Sequence, residues 1–170
     1  MSRLFSLYSP SWLAVLLLLP LLGACAQFAP PSFEAKQAIT LPQQAKQPSQ
    51  LEYTVHIQHA DTYSPYLLLQ AHDVQERTNM RQQLRQNTTD TAKVEIYDGH
   101  SQQLLYASTH TPTLRFYDPV QHEIGLMLVP KYFALNPGSY TLKIELSGDY
   151  STLPADVKPT ISFTNLYKAQ

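Results

Sequence analysis

Six histidines are the residues of this chain that could most readily hold a metal ion. No two of them have the i, i+4 spacing by which a helix presents two imidazoles to one zinc ion, and Cys25 is the one cysteine. His56 and His59 are three residues apart on a predicted strand, so their side chains point to opposite faces. The spacing predicts scattered surface histidines, with no metal site and no cofactor. The full set is His56, His59, His72, His100, His110 and His122.

The sequence motifs of common catalytic sites are missing. The chain contains no Gly-x-Ser-x-Gly, no Gly-x-Gly-x-x-Gly and no phosphate-binding loop. Carboxylates on predicted strands occupy the solvent-facing phase, where they serve solubility, although a pair assembled from distant strands stays open as an alternative. The pattern predicts a protein that is not an enzyme and has no catalytic residues. The strand carboxylates are Glu52, Glu95, Glu123 and Glu145.

Three arginines form the sharpest polar pattern in the chain. Arg77, Arg81 and Arg85 follow one another at intervals of four residues, so a helix would place them along one face. Guanidinium groups match carboxylate and phosphate oxygens, which makes the row a candidate ridge for an acidic partner or for phosphate groups. The alternative is a solvated helix face with no binding role. The net charge of −1 gives no general attraction to nucleic acid.

Tyrosine is abundant, with 11 residues in a chain of 170. Tyr53 and Tyr140 belong to alternating runs and are predicted to lie in the core. Five others fall in predicted loops or on outward phases. Exposed tyrosines are enriched in recognition surfaces, but a sandwich also uses them to cover sheet edges, so both interpretations stay open. These five are Tyr63, Tyr66, Tyr97, Tyr132 and Tyr150.

The elements that must position these side chains are mainly strands. Apolar and polar residues alternate strictly in the runs that begin at Leu51, Ala92 and Tyr140, and more briefly from Ile161 to Phe163. Seven or eight short antiparallel strands separated by turns predict an all-β fold, an immunoglobulin-like or transthyretin-like β-sandwich. The further strands are predicted at Tyr66–Ala71, Gln103–Ser108, Leu114–Tyr117 and Glu123–Val129.

Local signals mark where the strands are interrupted. The stretch Asp73–Gln86 lacks alternation, and Glu76 follows its first residue by three positions, as in a capping box, so a short inserted helix is predicted. Asp98-Gly99 predicts a hairpin with a loop longer than two residues. Asn136-Pro137-Gly138-Ser139 predicts a type II turn with its glycine at positive φ.

The first 25 residues have the features of an export signal. Arg3 supplies a positive charge, an apolar run extends from Trp12 to Leu22, and small residues precede Cys25. The apolar run is shorter than the roughly 20 residues that a membrane span needs. A plain signal peptide with an incidental cysteine is the alternative interpretation.

The residues Leu22-Gly23-Ala24-Cys25 resemble the bacterial lipobox, Leu-x-[Gly/Ala]-Cys. The resemblance implies cleavage between Ala24 and Cys25, a diacylglycerol on the cysteine sulfur and usually a third acyl chain, such as palmitate, on the new amine. Two or three acyl chains make membrane attachment effectively permanent. Ala26 is not the aspartate of an inner-membrane retention signal, so the expected location is the outer membrane, facing the periplasm.

Composition divides the chain into three predicted segments. Residues 1–24 are the lipoprotein signal peptide, residues 25–50 are the acylated cysteine and a Pro/Gln-rich tether, and residues 51–170 are the sandwich domain. The tether has few large apolar residues, so burial cannot offset its ordering entropy. Within it, Ala38–Leu41 is a candidate edge strand.

Several motifs occur together in this chain. They are the lipobox, the strand Glu52–Ile57, Tyr63 before the second strand, a polar insertion after that strand, Leu135–Tyr140, and a closing strand through Phe163. This layout is similar to a group of proteobacterial lipoproteins with one β-sandwich domain of unknown function. Genes of that group often lie beside type VI secretion effectors, which implies an immunity role. The expected function is a membrane-anchored protein-binding module. The alternatives are an assembly lipoprotein of an envelope or secretion machine and a small-ligand or glycan binder.

Replacement of Cys25 by serine is expected to abolish lipidation, because serine has no sulfur to carry the diacylglycerol. Cells are labelled with a radioactive fatty acid and fractionated. Wild type and the control Ala29→Ser should carry label and sediment with membranes, whereas Cys25→Ser should do neither. Label or membrane attachment that survives in Cys25→Ser would contradict the prediction.

Overall fold

The computed structural model describes residues 32–44, 47–86, 90–118 and 122–165. They belong to one compact unit that begins at Ser32. The predicted signal peptide and the cleavage and lipidation sites at Ala24 and Cys25 lie outside the described residues.

The described residues form ten strands and one helix, which confirms the all-β sandwich with a short inserted helix. The count exceeds the expected seven or eight strands because β1 and the short β8 have no full alternating pattern. In chain order the elements are β1 (Glu34–Ala38), β2 (Ser49–Ile57), β3 (Asp61–Gln70), α1 (Val74–Gln86), β4 (Thr91–Asp98), β5 (Leu104–His110), β6 (Thr113–Asp118), β7 (Glu123–Met127), β8 (Phe133–Leu135), β9 (Gly138–Ser147) and β10 (Lys158–Asn165).

The strands form a six-stranded and a four-stranded antiparallel sheet. The larger sheet has the order β1-β10-β3-β7-β6, with β8 also paired to β3, and the smaller one has the order β2-β9-β4-β5. In β2, β4 and β9 the alternating apolar residues point into the core, as their sequences predict.

Strand β3 is buried along most of its length, from Tyr63 to Leu69. Such a continuous run is typical of a strand covered on both faces. One edge of β3 pairs with β10, while the other pairs with β8 over Asp61–Tyr63 and with β7 over Tyr66–Gln70. Pro65 lies at the junction between these two neighbours, where its missing N–H interrupts no pairing on that side. The strand therefore continues through Pro65, although the sequence predicts its start at Tyr66.

The folded unit begins earlier than the predicted boundary at residue 51. β1 pairs with β10 from Glu34, opposite Thr164, to Ala38, opposite Thr160. The following residues Ile39 and Leu41 enter the hydrophobic core. The expected tether over 25–50 is therefore too long, because residues from 32 onward gain backbone pairing and apolar burial that composition does not reveal.

Helix α1 begins and ends within one residue of its prediction. Asp73 Oδ1 accepts a hydrogen bond from the Glu76 N–H at 2.8 Å, and Glu76 Oε2 accepts one from the His72 N–H at 2.5 Å. These bonds satisfy N–H groups at the start of the helix, as in a capping box. Met80 is fully buried, whereas Val74 is 54% exposed, so the helix presents its Met80 side to the protein.

The tyrosines expected at the surface are mostly in the core. Tyr63, Tyr66 and Tyr150 are almost completely buried, so this interpretation was wrong for them. For Tyr63 and Tyr66 the cause is burial of β3 on both faces, which removes the outward phase, whereas Tyr150 lies in the β9–β10 connection, whose backbone bonds to Pro42. Tyr97 and Tyr132 are half-buried.

Two buried tyrosines close the turns that precede their own strands. The Tyr63 hydroxyl donates to the His59 carbonyl at 2.7 Å, and the Tyr140 hydroxyl donates to the Asn136 carbonyl at 2.8 Å. Each bond reaches back four residues, an arrangement similar to the tyrosine corner of immunoglobulin domains. The hydroxyl groups thus satisfy carbonyl acceptors in the turns, while the rings pack in the core.

Two glycines predicted in turns have different roles in the structure. Gly138 does not have positive φ; it starts β9 opposite Ile57, so the predicted type II turn is wrong. The longer Asp98-Gly99 hairpin loop is confirmed, since the Asp98 N–H donates to the Gln103 carbonyl at 2.9 Å. The Gly99 N–H donates to the Ser139 carbonyl at 2.8 Å, and a Cβ on Gly99 would lie 2.7 Å from that oxygen.

Gly99→Ala is expected to lower the free energy of unfolding by about 1–3 kcal/mol, because its methyl group would overlap the Ser139 backbone. The matched control is Gly138→Ala, whose Cβ would meet the Tyr140 ring at an ordinary 3.6 Å and should cost less than about 0.5 kcal/mol. Urea unfolding of both variants measures the difference. Equal stability of the two would contradict the close approach at Gly99.

Candidate functional site

The outer face of the four-stranded sheet carries a shallow depression of about 430 Å³ lined by charged side chains. Lys93 Nζ lies 2.8 Å from Glu95 Oε1, and Lys143 Nζ lies 3.2 Å from Glu52 Oε2. Hydrogen bonds from Lys93 and then from Tyr97 lower the pKa of Glu95. These charges meet opposite partners on their own surface, so the face is a satisfied polar network rather than a site with unmet binding groups.

A second concave region lies where a helix and two irregular stretches meet. We call this region the helical end. It consists of α1, residues 39–44 and the β9–β10 connection, residues 148–157. The Tyr150 N–H donates to the Pro42 carbonyl at 3.1 Å. His72 Nε2 lies 2.7 Å from Asp156 Oδ2, which joins the start of α1 to the same connection. These contacts hold together segments from both ends of the folded unit.

The helical end contains a cleft of about 300 Å³ that is lined by both polar and apolar residues. This volume is at the lower limit of small-ligand pockets. The sequence has no signal for the cleft, because its two walls come from opposite ends of the folded chain. The main apolar lining residues are Ile39, Leu41, Leu153, Pro154, Val157 and Pro159.

The backbone of the β9–β10 connection is fixed beside the buried Asp90. The Asp149 N–H donates to Asp90 Oδ1 at 3.3 Å. Burial and, after it, the charge of Asp90 raise the pKa of Tyr150, which lines the cleft. A Cβ on Gly148 would collide with the Asp90 carboxylate, so only glycine fits there. The cleft wall is therefore held in one conformation.

The arginine row predicted from sequence lies on α1, but its members differ in exposure. Arg85 is exposed in the last turn of the helix. Arg77 and Arg81 are half-buried, with Nη1 of the first and Nε of the second out of contact with solvent. The first two arginines therefore pack against the protein, and Arg85 is the member that a partner can reach. Binding of an acidic partner by this row stays a prediction.

The helical end lies opposite the end of the sandwich where the folded chain begins. At that N-terminal end, the Phe33 N–H donates to Asn165 Oδ1 at 3.2 Å, and Asn165 Nδ2 donates to Asp61 Oδ2 at 2.9 Å. β10 starts at Lys158, which pairs with Gln70 shortly before α1. The strands β1, β3 and β10 thus run between the two ends.

The histidines lie apart from one another in the fold. Within the described ranges, no three or more His, Cys, Asp or Glu side chains are grouped so that they could hold a metal ion. His56 Nδ1 instead lies 2.8 Å from Ser139 Oγ, and His72 pairs with Asp156. In the same described part of the chain, no helix has the length and apolar character to cross a membrane.

Comparisons with known proteins identify a similar fold and no family. No family model matches the chain, and no curated protein matches it. The structure is similar to the crystal structure of a protein from Sulfurospirillum deleyianum, with a TM-score of 0.55 and 13% identity. The alignment covers 81% of this chain and 98% of that one. At this identity the similarity shows a shared fold.

Arg81→Ala is expected to destabilise the protein by about 1–3 kcal/mol, because it removes a half-buried guanidinium group and its contacts. The matched control Arg85→Ala removes an exposed arginine from the same helix face and should change stability by less than about 0.5 kcal/mol. Urea unfolding monitored by circular dichroism compares them. A smaller loss for Arg81→Ala than for Arg85→Ala would contradict the difference in packing.

Proposed function

We propose that this chain is a lipoprotein, anchored through Cys25 and facing the periplasm, whose helical end binds a protein partner. The immunity role, neutralisation of a secreted effector, is the preferred form of this function. The observation that carries the proposal is the arrangement of the two ends. The anchored segment joins the N-terminal end, while the cleft and Arg85 lie at the other end, toward an approaching partner.

The length of the connecting segment supports this arrangement. Ser32 follows Cys25 by seven positions, and seven residue steps span at most about 25 Å when fully extended. An anchor at Cys25 would therefore keep the N-terminal end close to the bilayer. The helical end would be the more accessible surface for proteins in the periplasm.

The composition of the helical end supports a protein partner. Irregular connections tolerate sequence variation while the sheets stay fixed, which suits a surface that must match one partner. The apolar part of the cleft can receive one large apolar side chain, and Arg85, exposed on α1, can pair with a carboxylate of the same partner. At this end, local hydrogen bonds lower the pKa of the Asp149 and Asp156 carboxyl groups, as in structural contacts. This supports binding rather than acid catalysis.

Deletion of the gene is expected to make the cell sensitive to a sibling that delivers the cognate effector. Expression of the wild-type lipoprotein should restore survival in a competition assay. Arg85→Glu should restore it less well, with partner association slowed by roughly tenfold, because a steering charge is reversed. Equal survival of the deletion strain against every secretion-competent sibling would contradict immunity and favour the assembly role.

The matched control is Lys131→Glu, which reverses one exposed charge in the loop before β8, away from the helical end. This variant should protect as well as wild type. The two variants change net charge equally, so a loss confined to Arg85→Glu locates the partner at the helical end. Equal loss in both would contradict that location.

A further inference from the structure

Five strands have an edge without a described partner strand, and three of them, β1, β2 and β6, carry charged residues. β1 contains Glu34 and Lys36, β2 contains Glu52, and β6 contains Arg115 and Asp118. Charges on an edge discourage pairing with a strand from another molecule. The other two edges are β8, which has only three residues, and β5, which has the sequence Leu-Leu-Tyr-Ala-Ser-Thr-His and contains no Asp, Glu, Lys, Arg or Pro. It pairs with β4 on one side, and no described strand pairs with its other side.

An irregularity in the β4–β5 pairing exposes two leucines at the start of this edge. Ile96 lies opposite Tyr106 and Tyr97 lies opposite Leu104, so Leu105 is an extra residue on β5. A bulge of this kind redirects side chains. Leu104 and Leu105 are 48% and 47% exposed, and with Val74 they are the large exposed apolar residues of the described chain. The uncharged edge and these leucines form one continuous surface.

We propose that β5 is a self-association edge, on which the β5 strand of a second copy of this chain pairs in an antiparallel manner. A two-fold axis between the strands would satisfy the free backbone groups of both copies at once. The stretch from Leu104 to Thr109 contains no charged residue, so no register of this stretch places like charges opposite each other. The joined sheet would have eight strands.

The side chains of β5 complement those of a second, antiparallel β5. Full overlap of the strands centres on Ala107, which then lies opposite Ala107 of the second copy, and places Leu104 opposite His110. Leu105 then lies opposite Thr109 of the second copy, and Tyr106 lies opposite Ser108. The two leucines of each copy lie beside the end of the other β5, so the association covers the apolar surface exposed by the bulge. This proposal does not depend on lipidation or on a partner at the helical end.

The test uses the full chain, purified from whole cells in detergent, in sedimentation velocity experiments over a concentration series. Wild type is expected to be a dimer. Ala107→Lys should weaken the dimer at least tenfold, because it brings two ammonium groups together at the two-fold axis. The matched control Thr54→Lys, at an exposed position on edge strand β2 of the same sheet, should leave the dimer intact. A monomeric wild type, as expected if β5 instead receives a strand of another protein, would overturn the proposal, and so would a dimer unaffected by Ala107→Lys.

A cysteine at the two-fold axis tests the same pairing without adding charge. Opposite residues of antiparallel strands have Cβ atoms about 4.5–5.5 Å apart, close enough for a disulfide after small adjustments. Mild oxidation should link Ala107→Cys into a covalent dimer, whereas Thr54→Cys and wild type, which retains Cys25, should stay unlinked. Failure of Ala107→Cys to link, or equal linking of Thr54→Cys, would overturn the proposed axis.

Discussion

Burial of β3 on both faces is the constraint on which the rest of the structure depends. A strand whose residues from Tyr63 to Leu69 are all buried needs backbone partners on both edges and apolar cover on both faces. β10 supplies one edge, and β7 with β8 supplies the other. The four-stranded sheet covers one face, and α1 contacts β7, the neighbour of β3, and buries Met80 in the same hydrophobic core. The inserted helix is therefore part of the core that supports β3.

The sequence predicted those elements whose local pattern matches their environment. β2, β4 and β9 each bury one face, so their period of two is readable, and Asp73 with Glu76 identified the start of α1. The pattern was misleading where both faces are covered: Tyr63 and Tyr66 stand next to apolar residues in a strand without an outward phase. β1 was missed in part because its polar residues Lys36 and Gln37 gain order from pairing with β10, which composition cannot show. Backbone pairing between distant segments leaves no local signal.

The candidate site was harder to predict because its parts are far apart in sequence. Periodicity correctly placed Arg77, Arg81 and Arg85 on one face of a helix, but it could not say that the first two pack against the protein. That orientation follows from Met80, whose burial turns its neighbours inward. The cleft depends on the Tyr150–Pro42 hydrogen bond, which joins two segments that both read as loops. Sequence therefore indicates the chemistry of the helical end but not its shape.

Charged residues and irregular structure are distributed over three separate regions of this small fold. At the N-terminal end, Phe33 and Asn165 fasten the first folded residues to the sheet. At the helical end, the connections contact one another through exposed polar groups such as His72 and Asp156, so they can vary with little effect on β3. The β5 edge lies outside both, and its missing charges cannot be explained by core packing, since Ala107 and Thr109 are exposed. An exposed edge without charges favours unwanted pairing, which a specific strand that covers the edge would prevent.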